Sequence, residues 1–384
     1  MDIMQESLDL HRKLNGKIEI KNKLKIDNIH DMSLAYTPGV AKACLAIHEN
    51  PEEVYALTSK RNTVAVISDG TAVLGLGDIG PLAAIPVMEG KCALFKRFAN
   101  VDAIPIVLNT KDVNELVNTI YHLSPSFGGI NLEDISAPRC FEVERRLKEI
   151  CDIPVFHDDQ HGTAIVVGAA LTNALKLVGK KLNEAKIIIN GAGSAGIAIT
   201  KFLLDLGAKH ITVCDRFGII VEGDEQLNFA QKEISLKTNR KHLNGLLKDA
   251  LLGADVFIGV SAGNIVSEDM IQHMNPNAIV FPLANPTPEI SRDKALNAGA
   301  RVVGTGVSNL PNQINNALVF PGLFKGALDS RVRQITKEME IAACKALAKI
   351  VKKEELTETY IIPNIFNKKV AKNISRAVMK AAIK

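Results

Sequence analysis

Two rhythms of apolar and polar residues run along this chain. Short apolar runs at TVAVIS (63–68), AIPIVL (103–108), GGINLED (128–134) and IPVFHDD (153–159) predict buried strands. Between them lie stretches such as DVNELVNTIYHL (112–123), whose apolar positions return every third or fourth residue and predict helices. Alternation of this kind marks a parallel α/β sheet. From Gly162 a long helix, TAIVVGAALTNALKLVG, leads into a second alternating region, with KIIIN (186–190), HITVCD (210–215), DVFIGV (255–260) and AIVFPL (278–283) as its strands. Residues 1–60 read as helices around a turn at Tyr36-Thr37-Pro38-Gly39, and the tail from about 330 as amphipathic helix that packs back on the rest. No repeat or linker interrupts the pattern, so the two regions are expected to share an extensive interface.

The second region opens on a motif with chemistry in it. IIIN runs into Gly191-Ala192-Gly193-Ser194-Ala195-Gly196, a helix follows, and the next strand ends at Asp215. Strand, GxGxxG turn, helix and acid stand in the order of a dinucleotide-binding βαβ unit. Gly191 permits the tight turn, Gly193 lets the backbone approach a pyrophosphate, and Gly196 lets helix and strand lie close. The helix N-terminus offers free N–H groups to the phosphates. Asp215 can accept hydrogen bonds from the adenosine ribose and would repel a 2′-phosphate, which favours NAD over NADP, although Arg216 beside it could contact such a phosphate. A second match, Gly75-Leu76-Gly77-Asp78-Ile79-Gly80, has no strand and acid after it, and Pro81 and Pro86 are expected to interrupt its helix. It reads better as a turn lining a cleft. The fold class is therefore α/β in two domains: a parallel-sheet domain over residues 1–160 and a Rossmann-type dinucleotide-binding domain over 161–384 that includes the C-terminal helices.

Glu133-Asp134 follows GGIN, and Asp158-Asp159 follows IPVF. Both pairs would lie at strand C-termini, the edge where ligands bind in such sheets. Carboxylates converging there form an oxygen-only site suited to Mg2+ or Mn2+. Such pairs also serve as helix caps or solvated loops, and spacing alone leaves both readings open. His157 and His161 stand four apart, but Gly162 still precedes the helix, so a zinc-binding helical pair is not expected.

Composition narrows the class. With 384 residues, two or three domains are expected, and 47% hydrophobic against 23% charged residues is the balance of a globular protein with a real core. A net charge of +4, with Lys and Asp/Glu interleaved, argues against a nucleic-acid binder. Cys44, Cys92, Cys140, Cys151, Cys214 and Cys344 show no CxxC pairing, so free thiols and a reducing compartment are expected. The charged N-terminus lacks a signal-peptide pattern, and no later segment reads as long and apolar enough to span a bilayer. The expectation is a cytoplasmic protein without a membrane partner.

Several segments together resemble the malic enzymes, in their short microbial form. They are LAYTPGVAKACL (34–45), SDGTAVLGLGDIG (68–80), VMEGKCALFKRFANVDAIPI (87–106), INLEDISAPRCFEVERRL (130–147), PVFHDDQHGTAIV (154–166), PLANPTPEI (282–290), PNQINNALVFPG (311–322) and YIIP (360–363). The likeness covers nearly the whole chain. It implies metal-dependent oxidation and decarboxylation of malate to pyruvate and CO2 with NAD or NADP. It implies a Mg2+ or Mn2+ ion held by Glu133, Asp134 and Asp159, with Lys91 as general base, Asp158 as its partner and Tyr36 as general acid. Asn285 and Asn315 match positions that contact malate and the nicotinamide portion of the cofactor, and Asn316 is a further candidate. A homodimer is implied as well.

Two departures stand out. Larger malic enzymes carry an acid–arginine pair, whose arginine grips a substrate carboxylate, where this chain has Thr71-Ala72. The short form usually reads GRSD where this chain has Gly306-Val307-Ser308-Asn309, a loss of two charges near the cleft. For the implied reaction a lysine base must be neutral, so its pKa must fall well below the usual ~10.4. Two other readings fit the same residues: a malolactic or oxaloacetate-decarboxylating enzyme, and a non-catalytic sensor of malate and cofactor. The acid–base pair and the full carboxylate set weigh against the sensor.

Overall fold

The computed structural model describes residues 3–73 and 75–383. Its first sheet has four parallel strands, β1 (Thr63–Ser68), β2 (Asp102–Val107), β3 (Gly129–Leu132) and β4 (Val155–His157), in the order β2-β1-β3-β4. The second holds β5 (Lys186–Asn190), β6 (His210–Asp215), β7 (Gly218–Ile219), β8 (Val256–Gly259), β9 (Ile279–Pro282) and β10 (Val302–Val303), in the order β10-β9-β8-β5-β6-β7. Only β7 runs antiparallel. The chain is thus an α/β protein with a Rossmann-type second sheet. The two-residue strands β7 and β10 carry no readable alternation and went unpredicted.

The sheets are joined through one continuous apolar cluster that runs from Val64 and Val66 on β1 through Ile187 and Ile189 on β5 to Val378 near the C-terminus. The helix Thr163–Val178 lies inside it, with Ala164 through Leu171 all buried. This helix corrects an expectation: together with the turn before it, at a mean hydropathy of 1.3, it is long and apolar enough to cross a bilayer. Its apolar surface faces protein instead, and a helix buried on all sides needs no polar face. Aromatic rings lock the seam. Phe95 packs on Phe320 and Phe324 with centroids 4.7 and 5.4 Å apart, and Phe324 meets Phe156 of β4 edge-on at 5.8 Å. The C-terminal helix Lys369–Ala382 crosses Phe320–Asp329 where Gly322 and Gly326 leave no room for a Cβ against Ala371 and Val378.

The second GxGxxG segment holds a further correction. Pro81 and Pro86 do not interrupt a helix, because Pro81–Ala99 forms one of 19 residues. Pro81 sits in the first turn, where its missing N–H costs nothing. Pro86 forfeits one bond, offset by the burial of Ala84, Met88, Lys91, Cys92 and Phe95 on one face. In contrast to this helix, the first fifty residues stand apart from the core: Ile3–Leu14, Ile29–Ala35 and Val40–Glu49 are helices without a single buried residue.

Replacing Phe324 by Ala removes the ring shared by both halves of the seam. Urea unfolding should show a loss of about 3–5 kcal/mol. A loss within experimental error would mean that the seam does not hold the fold together.

Candidate active site

The dinucleotide loop has the form its glycines predict. Gly191 sits at φ +116°, and a Cβ there would meet the Val260 carbonyl at 2.5 Å. A Cβ on Gly196 would lie 1.6 Å from the Gly191 carbonyl oxygen, so only glycine lets the helix Ser194–Asp205 start this close to β5. Gly193 faces open space and no side chain caps the helix, which leaves its first N–H groups free for phosphate oxygens. Ala192, Ser194 and Ala195 complete the turn. Asp215 ends β6 with one carboxylate oxygen accepting the Phe217 N–H at 2.8 Å, while the Arg216 guanidinium lies over the Phe217 ring.

A second group of residues gathers at the C-terminal edge of the first sheet. Glu133 and Asp134 follow β3, and Asp158 and Asp159 follow β4, where the chain winds into a short π-turn, Asp158–Gly162. Oxygens of Glu133, Asp134 and Asp159 all lie within 4.8 Å of one another. Asp134 adopts φ +54° and donates its backbone N–H to Asp159 Oδ2 at 2.8 Å, tying the two loops together. Lys91 reaches in from the Pro81–Ala99 helix, its Nζ 2.6 Å from Asp158 Oδ2, 2.8 Å from Glu133 Oε1 and 4.4 Å from the centre of the Phe320 ring.

Lys91, Glu133, Asp134 and Asp158 are almost wholly cut off from water, and Asp159 only in part. Burial, then repulsion from Asp159, pushes the Glu133 carboxyl up to about 7, against the pull of Lys91. Burial likewise raises Asp158 to about 6. Burial alone would lower Lys91, but Asp158 and Glu133 outweigh it and hold the amine above its ordinary value, so it is charged in this arrangement. Three desolvated carboxylates around one ammonium leave a surplus of negative charge that a divalent cation fits. The donors are all oxygen, as Mg2+ and Mn2+ prefer.

The first sheet's site meets the second sheet's loops. The Asn285 carbonyl lies against Gly75, where a Cβ would approach it to 2.0 Å, so the second glycine-rich turn meets the loop after β9. Asn316 packs against Gly162, beside Asp158. Asn315 spends its side-chain oxygen on the Ala317 N–H at 2.8 Å, as a helix cap. Tyr36 is not brought to the group. It ends the Ile29–Ala35 helix, is 71% exposed, and its hydroxyl makes no hydrogen bond among the described residues.

Three supporting residues escaped the sequence reading. Buried Glu144 accepts the His157 N–H at 3.1 Å, pairs with His161 at 2.9 Å and with Lys148 at 2.9 Å, and so braces the strand end that carries Asp158 and Asp159. Burial would raise its carboxyl, but His161 and Lys148 drive it well below the usual range. Its signal was present: Cys140, Val143, Glu144 and Leu147 form one buried stripe, with an acid at a core position. Arg139 pairs with buried Asp69 at 2.8 Å and donates to Thr71 Oγ at 2.8 Å, and Ala72 in turn donates its N–H to the Asp134 carbonyl. Glu289, fully buried, accepts the N–H groups of Ser261 and Ala284 and binds the loops after β8 and β9 into one unit.

Comparison with known proteins fits this geometry. Residues 15–148 match the malic enzyme N-terminal domain, and residues 160–383 the malic enzyme NAD-binding domain. A protein named bifunctional malic/malolactic enzyme from Bacillus subtilis is 53% identical over 100% of this chain and 94% of its own. An NADP-dependent malic enzyme of Rhizobium meliloti is 46% identical over 99% of this chain and 52% of its own. The crystal structure of an NAD-dependent malic enzyme from Thermotoga maritima superposes with a TM-score of 0.94 at 50% identity, covering 97% of this chain and 98% of that one.

Asp159→Asn leaves the volume intact and removes a charge from the proposed ion. Titration calorimetry with Mn2+ should show affinity reduced by about 100-fold. Unchanged affinity would take Asp159 out of the ligand set.

Proposed function

Since the chain belongs to the malic enzyme family, we propose that the cluster around Lys91 is the centre at which it oxidises and decarboxylates malate to pyruvate and CO2. The observation that carries this reading is the juxtaposition of one buried amine with carboxylates from two loops, one of which packs against the helix that opens from the dinucleotide-binding glycines. Glu133, Asp134 and Asp159 would hold Mg2+ or Mn2+. A bound dinucleotide would supply the acceptor for the C2 hydride, and a bound cation the Lewis acid that loss of CO2 requires.

Lys91 takes the proton of the C2 hydroxyl. To do so it must first be neutral, and the carboxylates that keep it charged include Glu133, whose charge a cation would claim. Asp158 holds the amine in place throughout, through the 2.6 Å contact. Asn285 and Asn316 orient the substrate and nicotinamide from the opposite wall, and Asn315 sets the turn that carries Asn316. Tyr36 supplies the proton that the enol needs at C3.

Asp215 at the end of β6 supports NAD as the preferred cofactor, because a carboxylate there would repel a 2′-phosphate and Arg216 is turned onto Phe217. The malolactic outcome also has support, in the name of the Bacillus subtilis relative. Product analysis separates them: NADH accumulating with pyruvate is expected, whereas lactate without net NADH would favour the second reading. Lys91→Ala should abolish malate oxidation while leaving dinucleotide binding intact, and full turnover by that variant would remove Lys91 from the mechanism.

The partner we propose is a second copy of this chain. Ile18, Ile20, Leu24, Ile26, Ile29, Leu34 and Tyr36 are all exposed along one N-terminal arm, far more apolar surface than single scattered side chains would explain. An isologous dimer would cover that arm and carry each Tyr36 into the other subunit's cleft. Mixing inactive Tyr36→Phe chains with inactive Lys91→Ala chains, after dissociation and reassociation, should restore about a quarter of the wild-type rate, since half the dimers are hybrids with one complete site. A mixture that stays inactive would place Tyr36 and Lys91 of one chain in the same site.

A further inference from the structure

At the edge of the second sheet opposite the dinucleotide loop, a basin of about 310 Å³ opens between the starts of β5 and β6 and the loops 239–243 and 250–254. Its floor is apolar: Ile188, Ile211, Ala250 and Ala254 are all buried. Its rim is cationic. Lys186, Lys209, Arg240 and Lys241 line it, with His210, against one acid, Glu184, which is already paired with Lys181 at 3.1 Å. None of the four side-chain charges has a carboxylate partner or a hydrogen bond among the described residues, although the Lys186 backbone N–H donates to Asp255. Nearby Lys180, by contrast, is paired with Asp255 at 2.7 Å. The surplus of cations is also notable against a net charge of only +4 for the whole chain.

The loop that presents Arg240 and Lys241 is held in shape. Asn239, at φ +44°, docks on β6 through its N–H to the Ile211 carbonyl at 2.8 Å. Its side chain donates to the Leu243 carbonyl and accepts the Leu243 N–H, both at 2.9 Å. The two cations therefore stand over the basin on a closed turn rather than on a free tail. Grouped like charges repel, and nothing in the folding of this edge requires them. An apolar floor under a rim of unpaired cations recognises an anion that has a flat or apolar body.

We propose that this basin binds an organic phosphate, with the body on the floor formed by Ile188 and Ile211 and the phosphoryl groups on Lys186, Lys209, Arg240 and Lys241. Its volume lies at the lower end of the range for small-molecule sites and suits a nucleoside phosphate. The basin is distinct from the dinucleotide site. Strands β5 and β6 run in parallel from here to Gly191 and Asp215 at the far edge, a distance of about 16 Å.

ADP is a suitable probe, and saturating NAD+ fills the dinucleotide cleft so that only the basin is read. Titration calorimetry on the full chain, without metal, should show one ADP site that survives saturating NAD+ and weakens as salt is raised. The variant Lys209→Glu with Arg240→Glu, both exposed, should weaken ADP by about tenfold or more while NAD+ affinity and malate turnover without ADP stay unchanged. Loss of the ADP signal under saturating NAD+ would assign it to the dinucleotide cleft and overturn the proposal. So would full retention of ADP binding by the double variant, or inorganic pyrophosphate binding as tightly as ADP, since the floor would then contribute nothing.

Discussion

The contact between Lys91 and the carboxylates of Asp158 and Glu133 is the constraint around which the rest is arranged. Taking these charges out of water costs several kcal/mol each, and pairing returns only part of that. A fold selected for stability alone would fill the space with apolar side chains. The cost is borne here by the large shared core, whose Phe320 lies against the amine with Phe95 packed on it and Phe324 on Phe95. Metal affinity, the protonation state of the base and the solidity of the aromatic seam are therefore coupled. A change behind Lys91 is a change in its electrostatics.

The bracing residues follow from the same constraint. Carboxylates that repel one another stay together only when their backbones are pinned. Glu144 pins β4, the Arg139–Asp69–Thr71 chain pins the loop whose Ala72 holds Asp134, and the Asp134 N–H ties to Asp159 directly. On the facing wall, Glu289 fixes the loops after β8 and β9 as one piece. The site is thus built from three kinds of carboxylate: those that would meet a cation, one that holds a base, and those that hold backbone.

Most of the fold was legible because most of its strands are buried on both faces and read as uninterrupted apolar runs, partly exposed β2 being the exception among the longer ones. TVAVIS, KIIIN and HITVCD coincide with β1, β5 and β6 at both ends. The misreadings have physical causes. Pro81 and Pro86 look like helix breakers until burial of one face outweighs a lost hydrogen bond. The core helix Thr163–Val178 has the apolarity of a bilayer span because protein covers it on all sides. The site was legible in its parts, as Glu133-Asp134, Asp158-Asp159 and the glycine turn, but not in its assembly. No spacing rule brings Lys91 to Asp158, 67 positions away, or leaves Tyr36 outside the cluster. Glu144 and Glu289 were readable only as acids at core positions, a signal easily lost among apolar neighbours.

The unbroken apolar cluster from β1 to the final helix bears on how the enzyme can move. Any movement that parted the two halves of this cluster would have to expose rings such as Phe95, Phe156 and Phe324 to water. The Gly75 turn and the Asn285 loop that touches it lie outside that cluster, so a shift of either leaves the shared core covered.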